Sequence, residues 1–358
     1  MNYNPTMRGR TFFIAAVTVL ICSHALAYPG PIRGTENIPK LMADSALVCK
    51  GEVVGTEEVK PSVAPSPSNK AVIANVHIDR CFKGETPADH MVSIVFDDTP
   101  PPTGGRYIAP PKGDYRLFFL KLESGKYMIA DAWFGELTIS RLLGTISPAD
   151  TDPMHHLELD LKAGLHDSKP ELVLDSIRML GNMRHLKSIA ELTSLLDSPD
   201  PLVRTYVYEA MLRLHDYSVL PTVAIWLEAQ PQMPHELLMP RDALFEMQDR
   251  LARELSQIRD PATLPTLLGL LQLPNPYIRT QVLQAVRAIH SPESANALLR
   301  MLDDPNPNSG FSAMEGLIEI SDHQGIDWVP SWPVFNANQK YYASKCREWW
   351  EVEKKQAQ

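Results

Sequence analysis

The stretch Leu195–Val207, LLDSPDPLVRTYV, returns in altered form as Leu270–Val282, LLQLPNPYIRTQV. A catalytic motif rarely needs a duplicate, whereas a structural unit that cannot bury its apolar face alone needs several copies. After the first copy, Val203, Val207, Ala210, Met211 and Leu214 fall at offsets 0, 4, 7, 8 and 11; after the second, Ile278, Val282, Ala285, Val286 and Ile289 fall at the same offsets. That spacing is one buried stripe of an α-helix, written twice in register.

The template recurs with small substitutions. Leu172, Met179, Leu180 and Met183 match around Ser176; Leu244, Leu251, Ala252 and Leu255 match around Gln248; Ala313, Leu317 and Ile320 match with Ser309 and Gly316. The stripes begin at 172, 203, 244, 278 and 309, so the steps are 31, 41, 34 and 31 residues. Between them lie second apolar segments at 186–196, 219–229, 263–273 and 294–302. Each unit therefore reads as helix, turn, helix. Pro201, Pro276 and Pro307 belong in the first helical turn, where a missing N–H costs nothing, and Asp200, Asn275 and Asn306 before them can cap.

The pattern L-L-x-x-P-D/N-P-x-V/I-R-T resembles the HEAT repeat, and at a 31-residue step the short form named after phycobilisome lyases. The resemblance implies an α-solenoid over 165–326. Arg204 and Arg279 take the place of the repeat's usual arginine, which implies that they brace neighbouring turns. Arrays of this kind serve many unrelated tasks, so the fold alone names no chemistry. The 41-residue step holds an insertion at 229–240, whose Met233, His235 and Met239 read as a plain loop. Residues 327–358 carry Trp328, Trp332, Phe335, Tyr341, Tyr342, Trp349 and Trp350, and read as an aromatic cap over the last unit.

Upstream the period shortens to that of strands. Runs at 46–54, 71–82, 91–96, 115–122 and 126–134 are rich in Val, Ile, Phe and Tyr, with turn residues between them. Five short strands predict a small OB-like β-barrel over 38–147. The stretches LVCKGEV, V-x-I-D-R-C-F-K-G and G-D-Y-R-L-F-F-L resemble the tissue-inhibitor/netrin-like version of that fold. In those inhibitors an amino-terminal cysteine ligates the protease's metal, whereas here the expected mature start is Tyr28 and the next cysteine is Cys49. The segment 148–164 reads as a solvated linker, His155, His156, Glu158 and Asp160 included.

The first 27 residues have the layout of a secretory signal: Arg8 and Arg10, an apolar run from Phe12 to Cys22, then Ala25-Leu26-Ala27. Cleavage is expected after Ala27, giving an exported protein, periplasmic or secreted. The run is shorter than the ~20 residues that span a bilayer. Removing two arginines and no acids takes the formal charge from −9 to −11. An acidic chain without a Lys/Arg stripe lacks the cations that nucleic acid requires. Cys49 and Cys81, in one β-rich segment, are the natural disulfide pair in an oxidising compartment; Cys346, alone in a C-terminal helix, reads as a partly buried thiol.

Motifs for metalloproteases, dithiol redox, serine hydrolases and phosphate-binding loops are absent, and no cofactor or metal is called for. The sequence thus predicts a multidomain β + α chain, non-enzymatic, that binds a protein or peptide partner. Trp226, Glu228 and Arg300, polar or aromatic on the second helices, are the candidate groove residues. The alternative is an inhibitor-like or ligand-binding barrel with the repeats as scaffold.

Overall fold

The computed structural model describes residues 36–59, 71–97, 109–131, 134–183, 190–230, 243–321 and 326–356. Helix α1 (Ile38–Asp44) leads into strands β1 (Leu47–Val59), β2 (Ala71–Lys83), β3 (Met91–Asp97), β4 (Tyr115–Glu123), β5 (Lys126–Ile129) and β6 (Glu136–Thr138). The pairing order is β1-β2-β3-β5-β4, with β4 returning to β1 and β6 added on β4. All pairings are antiparallel except β3 with β5. This is the small closed barrel the strand count predicts. Closure leaves β1 and β4 no free edge where they meet. Helix α1 and strand β6 were not foreseen; both are short, and short elements carry little periodic signal.

Strand β4 explains how the barrel meets the helices. Residues Leu117, Phe118, Phe119 and Leu120 are all buried. Phe118 and Leu120 enter the barrel interior with Cys49, Val53, Val76, Ile78 and Ile94. Tyr115, Leu117 and Phe119 point the other way, into a second core shared with α1 and the helical half. A strand buried on both faces reads as a continuous apolar run, as YRLFFLKL does.

The helical half contains α2 (Pro153–Gly164), α3 (Pro170–Asn182), α4 (Ala190–Ser194), α5 (Pro201–Arg213), α6 (Leu220–Ala229), α7 (Ala243–Ser256), α8 (Leu264–Leu270), α9 (Pro276–Ala288), α10 (Pro292–Met301), α11 (Pro307–Ser321), α12 (Trp332–Ala337) and α13 (Gln339–Gln356). The stripes predicted from sequence lie on α3, α5, α7, α9 and α11 and their neighbouring turns; all 25 positions are buried except Leu172, Leu244 and Ile320, which are half-buried. The caps fall where the turns require them. Asp200 accepts from the Leu202 N–H, Asn275 from those of Tyr277 and Ile278, and Asn306 from that of Asn308. Such a cap is worth about 1 kcal/mol. Arg204 donates to the Ser198 carbonyl; Arg279 donates to the carbonyls of Leu273 and Pro274 and pairs with Asp304 at 2.8 Å, so both arginines hold their turns.

Helices α2, α3, α5, α7, α9, α11 and α13 pack in succession, and α4, α6, α8 and α10 fill against them as a second layer. The segment read as linker, 148–164, is therefore corrected: most of it is α2, the first member of the long-helix layer. Asp152 caps it, accepting from the Met154 N–H. Its Leu157 and Leu161 are fully buried in the core shared with β4. At the far end, α12 and α13 close the array: Phe335, Ala343 and Cys346 are fully buried, and Trp328 meets Trp349 edge-on. Cys346, expected to be partly buried, is buried outright, and burial pushes its thiol up to about 12. Of the insertion read at 229–240, residues 231–240, with Met233, His235 and Met239, lie outside the described residues, as does the expected signal segment.

Candidate interaction surface

The two helical layers use their polar side chains differently. On the long-helix layer, polar and charged residues three or four positions apart on each helix form a ladder between repeats. Arg213 of α5 donates to Asn182 of α3 at 2.7 Å, and pairs with Glu209 in its own helix and with Glu254 of α7 at 2.7 Å. Arg250 of α7 reaches back to Glu209 at 3.1 Å and to Glu246 at 2.9 Å, and its guanidinium lies 4.4 Å from the Tyr206 ring centre. Arg178 pairs with Glu36 ahead of α1 and with Asp175 at 2.9 Å. Arg287 of α9 bridges to Glu315, at 2.8 Å, and to Glu319 on α11. Glu209, with a 3 % exposed side chain, would be an isolated buried charge without its two arginines. These groups are consumed in holding one repeat against the next.

The seam between barrel and array carries a second charged group that the sequence reading missed. Lys50 on β1 and Asp160 on α2 are both 0 % exposed, with Nζ 2.8 Å from Oδ2. The contact is a close ion pair rather than a well-aligned hydrogen bond. Lys50 donates to the carbonyls of Leu142, at 2.7 Å, and Ser140, at 3.3 Å, while Asp160 accepts from Arg80 and from the Gly144 N–H at 2.7 Å. Burial drags the Lys50 ammonium below its ordinary range, and Asp160 holds it up. Asp160, in a segment that reads from sequence as solvated, is fully buried, while His155 and His156 turn to Asp150, just before the helix start.

Nearby, Arg116 of β4 donates to Thr138 at 2.8 Å and pairs with Asp114 at 2.6 Å. Two carboxyls lie within its electrostatic reach. Burial pushes Glu136 of β6 up to about 7, and its Oε2 is buried without a hydrogen-bond partner among the described residues. Burial likewise pushes Asp175 of α3 up to about 7 against the pull of Arg116 and Arg250.

The residues singled out from sequence sit on the other layer, and on two different repeats. Trp226 and Glu228 belong to α6; Arg300 belongs to α10. Trp226 is half-buried against the core, so its ring packs inward and only part of it faces outward. Its neighbour Ile225 is 67 % exposed, the most exposed large apolar side chain among the described residues. Glu228 is exposed. Arg300 lines a pocket of about 270 Å³ with Leu271, Gln272, Met301, Asp303 and Pro305. Asp303 there is taken by Arg347 and Asp304 by Arg279, whereas Arg300 remains exposed. The structure does not gather the three into one cluster.

Cys49 and Cys81 are direct partners across β1 and β2, and the structure holds both as free cysteines, so the expected disulfide is not shown. Among the described residues no group of three or more His, Cys, Asp and Glu side chains is disposed to hold a metal ion, and no helix is long and apolar enough to cross a membrane.

A barrel joined to a two-layer array of helical hairpins defines the class: an OB-like domain followed by a HEAT-like solenoid. A family model described as HEAT repeats matches residues 237–315, which covers α7 to α10 and part of α11. No curated protein gives a match to the chain.

Proposed function

We propose that the protein is an exported, non-enzymatic interaction protein that binds a protein or peptide partner along its HEAT-like array. One observation carries the reading. The long-helix layer spends its charges on neighbouring repeats, while the short-helix layer presents Ile225 and Glu228 outward beside the half-buried Trp226 on α6, and Arg300 farther along on α10. Apolar, aromatic and charged side chains spaced along one layer are the composition of an extended contact surface, where a few aromatic and Arg anchors dominate. HEAT arrays commonly serve protein–protein contact, in line with this use. Export rests on the basic, apolar and small-residue order of the first 27 residues.

The test is made on the whole chain, because α2 and the barrel share a core and a barrel cut at residue 148 would expose Leu117 and Phe119. Photoreactive groups are placed at Trp226, at Arg300 and, as a control on the barrel, at exposed Lys112. The same cross-linked polypeptide is expected from the first two positions, and Arg300→Glu should weaken capture at 226. Adducts at Lys112 alone would place binding on the barrel and refute the reading.

A further inference from the structure

Cys49 and Cys81 are direct cross-strand partners, so their side chains share one face of the barrel wall. The ladder shifts register on both sides of them, between Val48 and Cys49 and between Lys50 and Gly51. Their environments are unequal. Cys49 is fully buried in the barrel interior among Leu47, Val53 and Phe118, while Cys81 lies half-buried at the edge of the same cluster. We propose that the pair is a thiol–disulfide exchange site, in which Cys81 is the thiol that meets an external disulfide and Cys49 the thiol that resolves it.

The chemistry balances as two displacements. The Cys81 thiolate attacks one sulfur of a small-molecule disulfide; that S–S bond breaks, one thiolate leaves, and a mixed disulfide forms at Cys81. Cys49 then gives its proton to water and attacks the Cys81 sulfur, expelling the second small thiol. Two protein thiols are oxidised by two electrons, and one external disulfide is reduced to two thiols.

The order follows from access and from charge. Hydrogen bonds from Cys49 and Thr86 stabilise the Cys81 thiolate against its partial burial, with His90 adding a smaller pull, and bring the thiol down to about 7. Cys49 is pushed the other way by its hydrogen bond to Cys81 and by burial. A thiol near 7 holds a large thiolate fraction at neutral pH and attacks well. Cys346, fully buried on α13 and raised to about 12, provides an internal control.

The experiment uses the full chain, reduced and then freed of reductant. Oxidised glutathione is added at neutral pH, remaining thiols are alkylated after denaturation, and each cysteine is read by peptide mass. The expected product is a Cys49–Cys81 linkage lighter by two hydrogens, with Cys346 still alkylatable. Cys49→Ser should stop at a glutathione adduct on Cys81, and Cys81→Ser should give neither species. A brief native-state pulse of N-ethylmaleimide on the unsubstituted protein, which needs no variant to fold, should label Cys81 at least tenfold faster than Cys49. Equal labelling, or full alkylation of both cysteines after glutathione treatment, would overturn the proposal.

Discussion

Asp160→Asn tests the lock between barrel and array. The substitution keeps the shape of the side chain and an acceptor for the Gly144 N–H, and removes one charge. Arg80, 21 % exposed, can turn to solvent. Lys50 cannot: its side chain is 0 % exposed and keeps only the carbonyls of Leu142 and Ser140. Removing one partner of a buried ion pair costs about 3–5 kcal/mol, a large part of the ~5–15 kcal/mol that holds a domain folded. Lys50→Met is gentler, because Asp160 retains Arg80 and the Gly144 N–H; a loss of about 1–3 kcal/mol is expected. In the double variant no uncompensated ammonium is buried, so Lys50→Met should restore at least about 1 kcal/mol to Asp160→Asn. The Asp160→Asn deficit should also shrink as pH rises, because the unfolded chain keeps a lysine proton that the buried amine has shed. Urea unfolding followed by tryptophan fluorescence and far-ultraviolet circular dichroism gives each number. A loss below about 1 kcal/mol for Asp160→Asn, or no recovery from the added methionine, would refute the argument.

Glu136, whose carboxyl is raised from an ordinary 4.5 to about 7, binds its proton more tightly folded than unfolded. Its contribution is therefore present below about 4.5 and lost as pH climbs to about 7, by up to about 3 kcal/mol; Glu136→Gln should flatten that slope in urea titrations at pH 5 and 8, and an unchanged slope would count against it. Arg213→Met strips Glu254 of its arginine and Glu209 of one of two, and should cost about 3 kcal/mol. The equivalent Arg287→Met faces glutamates that are 40 % and 46 % exposed and should cost under about 1 kcal/mol, so equal losses in the two variants would contradict the ladder's division into buried and exposed rungs. At Gly181 an added Cβ would lie 2.7 and 2.8 Å from the Cα and Cβ of Ala210, so Gly181→Ala should lower the melting temperature through about 1–3 kcal/mol of overpacking between α3 and α5.

The repeat was legible because its determinants are local. A stripe at offsets 0, 4, 7, 8 and 11, a proline in the first turn and an Asp or Asn before it act within one helix, and α5 and α9 begin one proline after the caps that predicted them. The strands were legible for the same reason, and YRLFFLKL held a further signal in its unbroken apolar run: a strand covered on both faces demands a second layer. What covers it was not written nearby. Asp160 meets Lys50 110 positions away, and Glu254 meets Arg213 41 positions away; no periodicity links such partners. A charged helix start such as DPMHHLELD looks solvated until the fold supplies the opposite charge. The five barrel strands, the repeat helices and the turns between them could be read from the residues alone, since backbone propensity and side-chain period act over a few positions. The folded chain alone shows that the segment read as a linker is the first helix of the array, that one layer spends its charges internally, and that Cys49 is buried more deeply than its strand partner Cys81. Burial and long-range pairing set those outcomes, and both arise only when distant segments are brought together.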